Sequence, residues 1–303
     1  MNEGIGAKHV TYDKHEAEWD KVLNDAERQL VGETWFQSDT LDSWRHQRMR
    51  EPVEPLASID KDASWLTIGD GRFGSDAHFL LSLGASNVHC SDISDTLLKI
   101  GNEKGFINTY SAQNAEAIKF ADDSFDYVYC KEAFHHCPRS YIALHEMFRV
   151  AKKAVVITEP WDDIIEPAPF SMLLRLAKRL LGRKHAEHGF ESVGNYVYSI
   201  SPREVEKFLL GMHYSCVAFF SANDAYFSGI EFIKLKSRSP KDLLIKLKLK
   251  ARLLILDLLC WLKIKRPSML MAVLFKEQPT SQLITSLKSY GWLVKELPKN
   301  PYL

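Results

Sequence analysis

An α/β fold with a doubly wound parallel sheet is what this sequence predicts, and three observations carry the prediction. Short apolar runs alternate with helical patterns along residues 64–159. The run at 153–159, KAVVITE, is nearly all apolar, as a strand buried on both faces must be. Between the first strand and the helix that follows it, Gly69, Gly71 and Gly74 stand at the spacing G-x-G-x-x-G. Glycine is needed there because the backbone bends sharply and a nucleotide-like ligand must approach it closely.

Residues 1–60 read as a helical N-terminal cap, polar overall, with Trp19, Leu23, Leu30, Trp35, Phe36, Leu41 and Trp44 scattered along it. It is either a packing arm or a lid over the ligand mouth, and Trp44, Arg45 and His46 are expected to pack at the surface. Capping residues at 38–42 open a helix that Pro52 and Pro55 end. The core, 61–276, starts with a strand at 65–68 and the glycine turn. A helix follows with Ala77, Phe79, Leu80, Leu81 and Leu83 as its apolar positions and Gly84 as its end. The second strand runs into Asp92, roughly 20 residues beyond the turn, where a carboxylate can accept hydrogen bonds from two ribose hydroxyls. A helix at 96–104, strands at 108–113 and 125–131, a helix at 138–150 and the strand at 153–159 complete the alternation. Ser201-Pro202-Arg203-Glu204 is a capping box with proline at the first helical position. Late strands are predicted at 214–220 and 269–275, and residues 277–303 as a short C-terminal tail with one helix near 283–290. Ligands bind outside the carboxyl ends of parallel strands. The glycine turn, Asp92, Asn114, the loop 131–136 and Glu159 all fall on that edge.

Composition bounds the function. The 303 residues are 46% hydrophobic and 11% aromatic, enough for a sizeable core. Lys and Arg total 39, as do Asp and Glu, so net charge gives no footprint for nucleic acid. The balance hides an asymmetry: residues 232–267 hold 11 basic residues against Asp242 and Asp257. The five cysteines (Cys90, Cys130, Cys137, Cys216 and Cys260) are odd in number and unclustered, with no C-x-x-C and no zinc spacing. Buried thiols in a reducing compartment fit them better than a disulfide framework, and no metal is expected. The first residues lack the apolar stretch of a secretory signal, and no run of 18 apolar residues occurs, so the expected location is cytoplasmic.

Taken together, the IGDGRFG loop, the SDIS turn, the segment QNAEAIKFADDSFDYVYCKEAFHHC, the strand VVITEP and YSISPREVEKFLLGMHY resemble the class I S-adenosylmethionine (SAM) dependent methyltransferases, over about residues 64–276. The resemblance implies a seven-stranded, mostly parallel sheet, because the two late strands match the family's final hairpin, in which one strand is antiparallel. It also implies SAM as cofactor. Gly69, Gly71 and Gly74 would line its methionine and ribose parts, Asp92 would grip the ribose, and Ile93 would flank the adenine. Asn114 would bond the adenine amino group and the Ala115 N–H its ring nitrogen, with Cys130 and Lys131 beneath the methionine. The family usually has an acid two residues before the first glycine, holding the cofactor's amino group. Thr67 stands there, and Asp70 or Asp76 is the candidate substitute.

A sulfonium methyl is already activated, so the protein mainly aligns nucleophile, carbon and sulfur. A hydroxyl acceptor gains from a general base. His135 and His136 follow the fourth strand where the methyl should point, and a neutral imidazole suits proton removal near neutral pH. His136 is the first candidate and His135 the second; the competing reading has one of them orienting backbone or packing under the lid. Glu159 either binds a substrate hydroxyl or caps the next turn. No G-x-S-x-G elbow and no G-K-[ST] after the glycines occur, which disfavours a serine hydrolase and a P-loop enzyme.

Two basic insertions complete the reading. In 161–200, expected as a lid, Met172, Leu173, Leu176 and Leu180 oppose Arg175, Lys178, Arg179 and Lys184. In 232–267, a basic amphipathic helix turns nearly apolar from Leu253 to Leu262, which suits either peripheral membrane contact through 240–266 or a lid or homodimer surface. The favoured function is methyl transfer from SAM to a hydroxyl oxygen of a glycan or small-metabolite acceptor, of the kind used in polysaccharide biosynthesis. The alternatives are C- or O-methylation of a lipid-soluble ring such as a quinone, and a non-catalytic scaffold of the same fold at a membrane assembly.

Overall fold

In the computed structural model, residues 3–164, 167–181, 189–191 and 193–302 are described. The helical preface comprises α1 (Glu3–Asn24), α2 (Ala26–Thr34), α3 (Leu41–Arg50) and α4 (Glu54–Ile59). The alternation follows: β1 (Ser64–Ile68), α5 (Ser75–Ser82), β2 (Asn87–Asp92), α6 (Thr96–Glu103), β3 (Thr109–Ala112), β4 (Phe125–Lys131), α7 (Ser140–Val150) and β5 (Ala151–Pro160). Then come α8 (Pro169–Leu180), α9 (Pro202–Gly211), β6 (Cys216–Ala222), α10 (Pro240–Trp261), β7 (Met269–Phe275), α11 (Ser281–Tyr290) and β8 (Leu293–Glu296).

The sheet has eight strands in the order β3-β2-β1-β4-β5-β7-β6-β8, where seven were expected. β1 to β5 pair in parallel, β7 runs antiparallel to β5 and β6, and β8 adds antiparallel to β6. Two strands are therefore reversed, not one. The extra strand comes from the segment expected to be a short tail. That segment is part of the core: Leu283 and Leu287 of α11 and Trp292 are buried with Met49, Val53 and Leu56 from the preface. Trp292 Nε1 donates to the Pro52 carbonyl at 2.9 Å.

Successive residues of a strand face opposite sides, and two core layers result. Trp65, Tyr127 and Tyr129 face the layer that holds α4, α5 and α11. Leu66, Val128 and Cys130 face the layer under α7 and α9. Asp126 fixes the start of β4 by accepting from the Ser64 N–H and hydroxyl, both at 2.9 Å. The Ser201–Glu204 capping box forms as its sequence requires.

Arg45 and His46 are not surface groups. The Arg45 guanidinium spans Asp224 with two bonds of 2.7 Å, and His46 is 4% exposed beside Arg72 and Glu132. Their helix α3 is clamped between the segment after β6 and the glycine turn, so side chains that look solvent-facing by composition are enclosed. Trp44 packs beside Leu41 against α10. Among the described residues, no helix is long and apolar enough to cross a membrane.

Candidate functional site

The carboxyl ends of β1 to β5 form one edge, and a cavity of about 290 Å³ opens there. Its floor begins at the turn after β1. Gly69 has φ +72°, and a Cβ on it would lie 2.1 Å from the Ala133 Cβ; only glycine fits. The tip of β2 presents Asp92 and then Ile93, β3 leads into Gln113, Asn114 and Ala115, and β4 ends in Lys131 and Glu132. Glu132 sits at φ +52°, which turns the chain sharply into the short helical turn Phe134–His136. The roof comes from α1, whose Tyr12, His15 and Trp19 close over these strand tips.

Asp92 is 4% exposed, and burial raises its carboxyl to about 7, against the Ser94 and Ile93 N–H groups and the Trp19 indole, which hold it down. A carboxyl poised there can give up its proton when hydroxyl donors arrive. Asn114 Oδ1 already accepts from the Glu116 N–H at 2.9 Å, which fixes the turn that carries Ala115. Burial works against the charge of Glu132, yet the neighbouring Lys131, with Arg72 and Arg45, holds this carboxyl down to about 2.

Gly69, Asp70, Asp92, Ile93, Asn114, Ala115, Lys131, His135 and His136 all line the cavity. Three other expected site residues do not. Gly71 lies under Trp19, whose ring would meet a Cβ at 2.3 Å. Gly74 packs against Ile107 at the start of α5, and Cys130 faces the core under α7, where burial pushes its thiol well up.

Asp70 also differs in kind from its expectation. Its two oxygens accept from the Asp76 and Ala77 N–H groups at 3.0 and 2.8 Å, capping α5, and from the Thr67 hydroxyl at 3.0 Å. Burial, and Asp76 beside it, raise its carboxyl. Asp76 is in turn held by Arg50. Neither acid is a free substitute for the acid that Thr67 replaces.

Both histidines have a carboxylate on Nδ1, and the two pairs differ. His135 Nδ1 meets Glu159 Oε2 at 2.5 Å. Glu159 has no exposed surface, and its other oxygen accepts from the Ala133 and Phe134 N–H groups. It therefore caps the turn and does not reach a substrate. Burial opposes charge on His135, but Glu159 outweighs it and raises the imidazole. His136 Nδ1 meets Glu191 Oε2 at 2.7 Å, with both side chains about one-third exposed (38% and 32%). Burial and the adjacent His135 lower its imidazole below the ordinary value, so it is neutral at neutral pH.

His136, His15 and Trp19 also line a second, more open cavity of about 770 Å³, with Glu18, Val22, Trp35 and Glu191 on its walls. The two cavities thus meet at His136. Tyr12, His15 and Trp19 were not singled out as site residues from sequence, although a signal existed: they stand at i, i+3 and i+7, one face of a helix. Glu191 had none. Within the lid expected at 161–200, residues 189–191 and 193–200 return over the histidines, with the Tyr198 N–H donating to the His135 carbonyl. Lys184 lies outside the described residues, and of the side chains of Arg175, Lys178 and Arg179 nothing is described.

The chain is similar to known proteins over the floor of this site. Residues 66–157 match a family model described as a methyltransferase domain. The ubiquinone/menaquinone biosynthesis C-methyltransferase of Pasteurella multocida is 27% identical over 161 residues, 50% of this chain and 60% of that protein. Its counterpart in Citrobacter koseri is 36% identical over 131 residues, 40% of this chain and 52% of that protein. The chain thus spans about half the length of the curated relatives it matches. Among solved structures, a magnesium protoporphyrin IX methyltransferase from Synechocystis with bound SAH aligns at TM-score 0.43 and 15% identity, covering 77% of this chain and 84% of that one. The YcgJ protein of Bacillus subtilis aligns at TM-score 0.48 and 19% identity, over 77% of this chain and 100% of that one. Over the glycine turn, the acidic tip of β2 and the strands that the family model spans, the core of this chain is similar to the class I S-adenosylmethionine-dependent methyltransferases.

Proposed function

We propose that this chain transfers a methyl group from SAM to a hydroxyl oxygen of a small or glycan acceptor, with His136 as general base. The observation that carries the reading is the His136–Glu191 pair at the junction of the two cavities. The smaller cavity fits the cofactor. It combines a turn that excludes Cβ at Gly69, a buried carboxylate at Asp92 and amide groups at 113–115. Asp92 would accept the ribose hydroxyls, Ile93 would lie along the adenine, and Asn114 and Ala115 would bond its edge. Arg72, Lys131 and Glu132 would meet the charged methionine end, the task for which Asp70 is already committed elsewhere.

Bound SAM supplies an activated methyl, so the chain's own work is alignment and proton handling. Glu191 holds Nδ1 of His136, leaving Nε2 as the nitrogen not engaged by that carboxylate. Nε2 would take the acceptor's hydroxyl proton as the oxygen attacks, and the resulting imidazolium would rest against Glu191. Trp19 and His15, shared by both cavities, would shut water away from the junction.

A second reading, methylation of a ring carbon in a quinone-like acceptor, is favoured by the curated relatives, which are ubiquinone/menaquinone biosynthesis C-methyltransferases. Cells lacking the protein, compared with wild type after feeding deuterated methionine, distinguish them. Loss of label from an O-methyl group of a glycan or metabolite supports the first, loss from a ring methyl the second. Absence of SAM binding in calorimetry would sink both.

A further inference from the structure

We propose that the outer face of α10 docks flat on an anionic lipid surface. This inference does not rest on the methyl-transfer reading. α10 holds to the protein by a narrow seam, in which Leu249 and Leu253 are buried and Ile245 is partly so, against Leu41, Ile230 and Ile233. Among the described residues, nothing covers the opposite face. Leu243, Leu247, Leu254, Ile255, Leu258 and Trp261 are 49–77% exposed. At about 100° per residue they fall within an arc of about 120°. Lys248 and Arg252 border that arc on one side and Lys246 and Lys250 on the other. An apolar stripe with cations on both flanks is the arrangement of a helix lying in a bilayer interface.

Charge selects the occupant. Residues 232–267 hold 11 basic residues and two acidic ones. A two-fold contact between copies of this face would set its lysines against one another, whereas anionic headgroups meet them at about 1 kcal/mol per cation. The helix is 22 residues long, roughly 33 Å, but no helix among the described residues is apolar enough to cross a bilayer. It lies on the surface and does not span it.

The placement of α10 carries a further meaning. Ala222, which ends β6, and Pro160, which ends β5, both pair with Met269, the first residue of β7. The α10 excursion thus leaves and returns at the sheet edge that holds the site. α8 departs from the same edge and exposes Leu173, Leu176 and Leu180. A docked molecule would turn its site edge toward the lipid, which suits an acceptor held in the bilayer.

The test is flotation of the full chain with vesicles of phosphatidylcholine alone and with about one-third phosphatidylglycerol. Binding to the anionic vesicles, weakened at high salt, is expected. Lys248→Gln with Lys250→Gln should lower vesicle affinity about 25-fold, about fivefold per cation removed, and Leu254→Glu with Leu258→Glu should abolish it. Both double variants should keep wild-type circular dichroism and SAM affinity, which separates lost docking from lost folding. No vesicle binding by the wild type, undiminished binding by the leucine variant, or a wild-type dimer that this variant makes monomeric without any vesicle binding would each overturn the proposal.

Discussion

The floor and the roof of the smaller cavity are built by different means. The floor consists of strand tips and the turns leaving them, fixed by parallel pairing: Ile68 lies beside Ser91 and Cys130, and Gln113 donates its N–H to the Asp92 carbonyl at 2.7 Å. Its atoms are set by a sheet whose inner strands are almost wholly buried. The roof consists of one face of α1 and the return segment that carries Glu191, held to the floor by side chains and by the backbone bond from Tyr198 to His135. The difference teaches that one cavity can have a floor fixed by strand pairing and a cover set residue by residue. The family model matches the floor strands, and the roof residues lie outside residues 66–157.

The largest effect is expected where floor and roof meet, at His136, which lines both cavities. His136→Ala should lower kcat by roughly 10²-fold or more, with SAM affinity measured by calorimetry unchanged. If kcat holds, His136 only packs, and the boundary between cofactor and acceptor halves lies elsewhere. On the floor, Asp92→Ala should weaken SAM binding by about 1.5–3 kcal/mol, the scale of hydrogen bonds to a charged group, with little change in kcat at saturation. An unchanged Kd would remove the ribose role.

A pH series sharpens the same comparison. Asp92 is raised to about 7 in the free protein, so it must shed a proton before it can accept two hydroxyls. SAM affinity should therefore rise roughly tenfold per pH unit up to about 7 and then level, and Asp92→Asn should flatten the curve. Stability runs the other way. The raised carboxyl contributes stability at pH values below the ordinary carboxylate range, and this is lost as pH climbs through 7. kcat, by contrast, should keep its plateau to below pH 6.5, because His136 is lowered. A smaller effect is expected from Glu191→Gln, about tenfold on kcat, through loss of the group that orients His136 and steadies its charge. Rescue by Glu191→Asp would mark it as a positioning residue.

Much of the floor was legible in the sequence for a physical reason: strands buried on both faces are nearly all apolar, and the turn after β1 needs glycine at position 69. β4 at Phe125–Lys131 and β7 at Met269–Phe275 fall on the predicted residues, and Ser201 caps α9 as expected. Asp70 has a role that the sequence left unmarked: it lines the cavity as expected, and its oxygens also accept from the Asp76 and Ala77 N–H groups to cap α5. β8 was missed because an exposed four-residue edge strand, with only Val294 packed on the core, leaves almost no periodicity. His46 and Arg45 escaped because enclosure by another element, unlike apolar patterning, leaves no local trace. Glu191 is placed by a loop return, and nothing local marks that either.

The bond from Trp292 to the Pro52 carbonyl joins positions 240 residues apart. During synthesis, Met49, Val53 and Leu56 emerge from the ribosome early and must wait for α11 and Trp292 before their shared cluster can close. The stretch from Met49 to Leu56 is therefore fastened late, and completion of the cluster it shares waits on the residues that follow β7.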